Sequence, residues 1–325
     1  MAIKVGIPRA LLYYRFYPLW KTFFTELGAE VIVSEPTTQE IFKKGLKKFV
    51  GDTCLPIKMV FGHVITLADK VDYLFIPRLV SIERDTCLCP HFAGLPDVLC
   101  AIMPDLPPIL DIHFNVRKKG ATMKSIYEAG KRFNKNPFKV YRAYQKAQRE
   151  YEKFLKRIKD GITPQEAIKI FDGEEVSPPE KKKGGLNIAL IGNPYTVYDS
   201  FSSLDIIQRL RKLGARIYTS EMIPDEIIEE KVRTLSKKIY WSFGKETVGS
   251  AFHFLDSPEI DGLIYIISFE CGPDSLLKEI VDDKARKNKR VAYMSLVIDE
   301  HTGETGMDTR LDAFIEMIKR RRAKK

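Results

Sequence analysis

The sequence has no apolar run that approaches the length of a membrane span. Its opening, Met-Ala-Ile-Lys-Val-Gly-Ile-Pro, reads as a β-strand and lacks the apolar core of a secretory leader. Both features predict a protein of the reducing cytoplasm. Five cysteines are too few, and odd in number, for a disulfide scaffold in a chain of 325 residues. No Cys-x-x-Cys pair occurs, so the tight ligand pairs of structural zinc are missing. No helix-turn-helix signal, zinc-finger spacing or RNA-binding aromatic motif is present, which argues against nucleic acid as a partner. The Gly-x-x-x-x-Gly-Lys-Ser/Thr phosphate loop is absent as well.

What remains is a globular composition, 44% hydrophobic and 30% charged, long enough for two domains with real cores. The formal net charge is +10, much of it in the runs Lys181–Lys183 and Arg320–Lys325. These read as a solvated linker and a frayed terminus. A basic surface of this kind also suits an acidic partner or a phosphorylated ligand. The richness in Lys, Arg and Glu is compatible with a thermophilic source.

Strand and helix patterns alternate through most of the chain, which predicts an α/β fold with parallel sheets. Strands are expected at 2–7, 30–34, 73–77 and 109–112, with helices at 11–27, 38–49 and 56–69 and another from about residue 94. Residues 120–172 read as a charged helical insert, and 173–185 as a linker by composition. The plan then repeats, with strands at 186–191, 216–219, 262–268 and 291–296. Helices are expected at 199–213, within 224–255, at 274–287 and at 309–319. The predicted organisation is an N-terminal α/β domain over 1–119, the insert over 120–172, the linker, and a C-terminal α/β domain over 186–325. Val5-Gly-Ile-Pro8 and Ile191-Gly-Asn-Pro194 echo each other after the first strand of each unit.

Four cysteines lie in Pro- or Gly-flanked turns: Cys54 in Gly-Asp-Thr-Cys-Leu-Pro, Cys87 and Cys89 in Asp-Thr-Cys-Leu-Cys-Pro, and Cys271 in Phe-Glu-Cys-Gly-Pro-Asp-Ser. Ligands of open α/β sheets sit beyond the carboxyl ends of the strands. The topology puts all four cysteines at that edge, where two facing sheets would gather them. Thiolates collected from distant loops hold iron–sulfur clusters. Zinc is the competing metal. A helix starting at Pro56 would favour the thiolate of Cys54. Cys100, in an apolar helical stretch, reads as core packing.

Several motifs carry a resemblance across nearly the whole chain, insert and linker apart. They are Gly6-Ile-Pro-Arg-Ala-Leu, Cys54-x-Pro-x-Lys58-x-x-x-Gly62-His63, Cys89-Pro-x-x-x-Gly94-Leu-Pro-Asp97, Pro194-Tyr195-x-x-Tyr198-Asp199, Cys271-Gly-Pro-Asp-Ser275 and Asp299-Glu-His-Thr-Gly-Glu-Thr-Gly306. As a set they resemble an activase-associated "CoA protein activase" family of poorly defined function, related to the 2-hydroxyacyl-CoA dehydratases. The resemblance implies two Rossmann-like domains with a [4Fe-4S] cluster between them, held by three cysteines. It implies that a separate ATP-dependent activase supplies a low-potential electron for a reduction or radical dehydration. By position Cys54, Cys89 and Cys271 match the three family cysteines, and Cys87 falls outside the pattern. An acyl-CoA ligand and a homodimer or related second subunit are further implications. The chain lacks the phosphate loops that an activase itself needs.

Other candidates surround the same edge. Arg9 and Tyr195 are candidate cofactor-binding residues; Glu270, His63 and His301 are candidate acids or bases. Asp199, Asp274 and Ser275 read as helix caps. Two alternatives to a cluster-dependent lyase or reductase component stay open: a non-catalytic electron relay or adaptor for an activase, and a zinc-stabilised binding domain.

Overall fold

Every residue of Gly262–Ser268 is buried, as expected of a central parallel strand covered on both faces. It is one of ten strands in the computed structural model, which describes residues 2–49, 51, 53–176 and 185–323. In chain order the first unit comprises β1 (Lys4–Ile7), α1 (Tyr13–Glu26), β2 (Glu30–Val33), α2 (Gln39–Leu46), α3 (Leu55–Ala68), β3 (Tyr73–Phe75), β4 (Arg78–Ser81), α4 (Pro90–Ile102), β5 (Ile109–Leu110) and β6 (His113–Asn115). Three helices follow: α5 (Ala121–Gly130), α6 (Pro137–Lys159) and α7 (Pro164–Phe171). The second unit comprises β7 (Leu186–Ile191), α8 (Pro194–Val197), α9 (Ile206–Lys212), β8 (Ala215–Thr219), α10 (Asp225–Val232), α11 (Ser242–Asp256), β9 (Gly262–Ser268), α12 (Gly272–Lys287), β10 (Ala292–Ile298) and α13 (Glu304–Ala323).

The two main sheets are parallel and wired alike. Their orders are β2-β1-β3-β5 and β8-β7-β9-β10, so each has its first strand beside its third. Alternation along β7 divides the core. Ile188 and Leu190 join a large cluster that also holds Phe24, Leu74, Phe154 of the insert and Phe314. Ala189 and Ile191 face a smaller cluster with Leu263, Tyr265 and Val281. The insert helix α6 buries Val140, Ala143, Tyr144, Ala147, Phe154 and Ile158, a stripe at helical spacing. Among the described residues no helix is long and apolar enough to cross a membrane.

Several expectations need correction. α4 starts at Pro90, four residues earlier than the pattern suggests, because Pro90 fits its first turn. The expected loop 78–92 contains β4, which pairs with β6 in a separate two-stranded ladder. The helix expected from 199 begins only at Ile206, after the short α8 and a turn with positive φ at Leu204 and Asp205. The last helix starts at Glu304 rather than 309, and Arg320–Arg322 belong to it, with Arg322 2.7 Å from Asp261. Cys100 is exposed, because the buried residues of α4 are Phe92, Leu95, Pro96 and Leu99. The linker centre 177–184, with Lys181–Lys183, lies outside the described residues.

α2 and α3 meet backbone to backbone. A Cβ at Gly62 would stand 2.0 Å from the Ile41 carbonyl, and one at Gly45 would stand 2.3 Å from the Lys58 carbonyl. Glycine at both positions permits this approach and fixes the helix that carries Cys54 and Lys58.

Candidate functional site

Three of the four loop cysteines share one local design. Cys54, Cys89 and Cys271 are the N-cap residues of α3, α4 and α12, and each helix has proline in its first turn. Proline suits that position because its missing N–H would have no partner there. None of the three thiols forms a side-chain cap bond, though the N–H groups of Ile57, His91 and Asp274 act to lower the pKa values of Cys54, Cys89 and Cys271. A thiolate accepts such bonds, as side-chain oxygens do at ordinary caps.

Cys54 is near enough to Cys89 in its own unit and to Cys271 in the other to feel a charge on either. A charge on Cys89 raises the pKa of Cys54, and a charge on Cys54 raises that of Cys271. The Tyr195 phenol feels all three. Burial nonetheless dominates. It pushes Cys54 up to about 11 and raises Cys89 and Cys271, against the lowering by the helix N–H groups. The expectation that the helix terminus would favour the thiolate of Cys54 is therefore corrected: the metal-free group is a neutral thiol near pH 7.

Cys87 is oriented differently. Arg117 donates to its Sγ at 2.8 Å, and its backbone bridges to Tyr240 and Ser242 at the start of α11. Among the described residues, no group of three or more His, Cys, Asp and Glu side chains is arranged to hold a metal ion. A single tetrahedral zinc needs sulfurs about 4 Å apart. A cubane takes each thiolate on a different iron and so needs a wider set. The donor chemistry of three neighbouring thiols at positive helix ends suits an anionic cluster.

Asp274 is a carboxyl that the sequence suggested only as a cap. It is buried beside Cys271, accepts from Asn193 Nδ2 at 2.7 Å and lies 3.5 Å from the Tyr265 hydroxyl. Burial raises its pKa to about 6. The Tyr195 ring packs against Phe92 and Phe243, 5.7 and 6.4 Å away, and those two rings also meet each other. Asn193, Tyr195 and Cys271 come from the loops after β7 and β9, the adjacent strands where the wiring reverses direction, which is where ligands enter such sheets.

Lys58 ties the two units beside this site. It lies one turn beyond Cys54, with a side chain only 9% exposed, and its Nζ reaches Glu300 at 3.0 Å and Glu270 at 3.4 Å. Glu270 holds a left-handed backbone, φ +64°, directly before Cys271. Glu270 is thus an ion-pair partner, strained in place. His301 is exposed, and the Asp299 carboxylate closes its own turn through His301 N and the Thr302 hydroxyl.

His63 and Arg9 are engaged with partners other than the thiols. His63 is fully buried, with Nδ1 2.8 Å from Ser34 Oγ and Nε2 2.9 Å from Thr37 Oγ1. Thr37 gives its proton to Asp199, so it accepts from Nε2–H, and Nδ1 accepts from Ser34. Ser34 Oγ in turn accepts the Arg9 N–H. Burial and the Arg9 charge lower His63 to about 4, so it is a neutral structural histidine. The Arg9 guanidinium lies over the Tyr13 ring, 5.4 Å from its centre. Asp199 also accepts the N–H groups of Phe201 and Ser202; it closes a turn and does not cap the helix expected from 199, which begins at Ile206, and it joins the two units through Thr37. Ser275 donates to the Cys271 carbonyl.

A search of the curated proteins finds no match to the chain. Residues 4–223 match a family described as CoA enzyme activase uncharacterised domain (DUF2229). That span covers more than half of the chain, includes Cys54 and Cys89, and ends before Cys271. With an α/β fold of two like-wired parallel sheets around it, the chain belongs to this CoA enzyme activase-related family.

Proposed function

We propose that this chain is an iron–sulfur protein that receives a low-potential electron from an ATP-dependent activase, for a reduction or radical dehydration of the 2-hydroxyacyl-CoA dehydratase kind. The observation that carries the reading is the shared design of Cys54, Cys89 and Cys271, three neighbouring helix N-caps drawn from both units. Those residues would hold a [4Fe-4S] cluster, which supplies one-electron chemistry when bound. The helix N-termini favour its negative charge. Asp274 and Tyr195 line the same place. Asp274, with a pKa near neutrality, can hold or release a proton beside the thiols. Lys58 holds the Cys54 and Cys271 loops at a fixed separation through Glu270 and Glu300. Cys87 stays with Arg117, so the ligand set has three thiolates. The family description supports an activase as partner.

Anaerobic reconstitution with iron and sulfide tests this. About four irons per chain are expected, with the absorption of a cubane. Serine in place of Cys54, Cys89 or Cys271 should lower the bound iron, and serine at Cys87 should not. Protein that stays colourless and iron-free under these conditions refutes the reading. A cluster that an activase reduces, with no acyl-CoA turnover, would assign the chain as an electron relay. One tightly held zinc would assign a structural site.

A further inference from the structure

A groove whose lining includes none of the three thiols lies between the loops that follow β5 and the helix α5. Its volume is about 1000 Å³, the upper end of the range for small-molecule sites. Val80, Leu110, Ile112 and Ala129 give it an apolar floor, and Lys118, Lys119, Lys124, Lys131 and Arg132 give it a cationic rim. The acids in the groove are already engaged. Asp111 is 3.3 Å from Arg78 and 3.4 Å from His113, and Glu128 is 2.7 Å from Lys131. Arg132 stands over the Tyr73 ring, 5.7 Å from its centre. Among the described residues Lys118, Lys119 and Lys124 form no salt bridge, and of the three only Lys124 has an acid close by, Glu128, which already pairs with Lys131. The first turn of α5 has no acidic residue to offset its positive end.

A groove with an uncompensated cationic rim and an apolar floor matches an anion that also has an apolar part. We infer that it binds a small organic di- or polyphosphate, with its phosphates at Lys118, Lys119 and Lys124 and its apolar portion on Val80, Leu110 and Ile112. Inorganic phosphate would use only the rim, and a nucleic-acid strand would extend beyond a concave site of this size. The lining stops one residue short of a side chain that reaches the cysteine loop. Arg117, next to Lys118, donates to Cys87 Sγ, so an occupied groove bears on the turn that leads to Cys89. The inference is independent of whether the three thiols hold a cluster.

Calorimetric titration of the full chain tests it, with adenosine 5′-diphosphate and pyrophosphate as probes. The diphosphate should bind saturably, with a dissociation constant below about 1 mM, and more tightly than pyrophosphate. The double variant Lys118→Glu, Lys124→Glu should weaken it by about tenfold or more, with an unchanged melting temperature. If the double variant melts early, Lys119→Glu alone carries the same prediction with a smaller loss. Absence of binding at millimolar concentration, affinity unchanged by charge reversal, or equal affinity for pyrophosphate overturns the inference. Displacement by a short oligonucleotide of higher affinity also overturns it and assigns the groove to nucleic acid.

Discussion

Acidification should destabilise the fold through His63, by an amount that its surroundings set. The ring is fully buried and lies near the Arg9 charge, which together lower its pKa from 6.5 to about 4. A proton on Nδ1 would also remove the acceptor of Ser34 Oγ. The group binds its proton less readily when folded, so its contribution is fully present above about pH 6.5 and is lost as pH falls through about 4. A shift of this size corresponds to about 3 kcal/mol, at about 1.4 kcal/mol per unit. The measurement is urea denaturation of wild type and His63→Gln between pH 4 and 7.5, read as the difference between the two proteins. Taking the difference removes groups common to both. Those include Asp274 and Glu221, whose raised pKa values give the opposite slope. The wild-type advantage should shrink by about 3 kcal/mol across the window. An advantage that is flat with pH, or an imidazole that titrates near 6.5 by NMR, would refute the reasoning.

Lys58→Met should cost about 2 kcal/mol in chemical denaturation, because it leaves Glu270 and Glu300 facing each other without their cation, discounted for their partial exposure. Lys58→Arg should recover part of that loss. Gly62→Ala should cost about 3 kcal/mol or more, since the new methyl meets the Ile41 backbone, whereas Gly94→Ala, which meets nothing, should be near neutral in a melting assay. Alkylation at pH 8 should label exposed Cys100 well before Cys54 and Cys271, whose burial keeps them as thiols; peptide mapping at timed intervals reads the order.

Strand-to-helix alternation was readable because β9 and, from Ile188 on, β7 are apolar runs followed by Gly and Pro, and the repeated wiring followed from it. The cysteine loops were readable for the same reason: Pro56, Pro90 and Pro273 mark helix starts, and a cap residue is found beside each. The start of α4 was misplaced because Gly94 and Pro96 imitate a helix start inside a helix that tolerates both. Cys100 was misassigned because one residue turns a helix by about 100°, enough to leave the face of Leu95 and Leu99. The partners of Lys58 lie 212 and 242 residues away, a pairing that no local pattern contains. The thiol pKa values needed the degree of burial, which spacing does not encode. The motif pattern already set Cys87 apart from the other three cysteines; its contact with Arg117, thirty positions on, and the hold of α11 on the backbone of that loop were not readable.

The large core cluster joins side chains of both sheets and of the insert, among them Phe24, Phe154, Ile264 and Phe314. Wiring that repeats therefore does not make two separable bodies: each half owes part of its interior to the other. A calorimetric trace should show one melting event, and either half made alone should expose a broad oily face and precipitate.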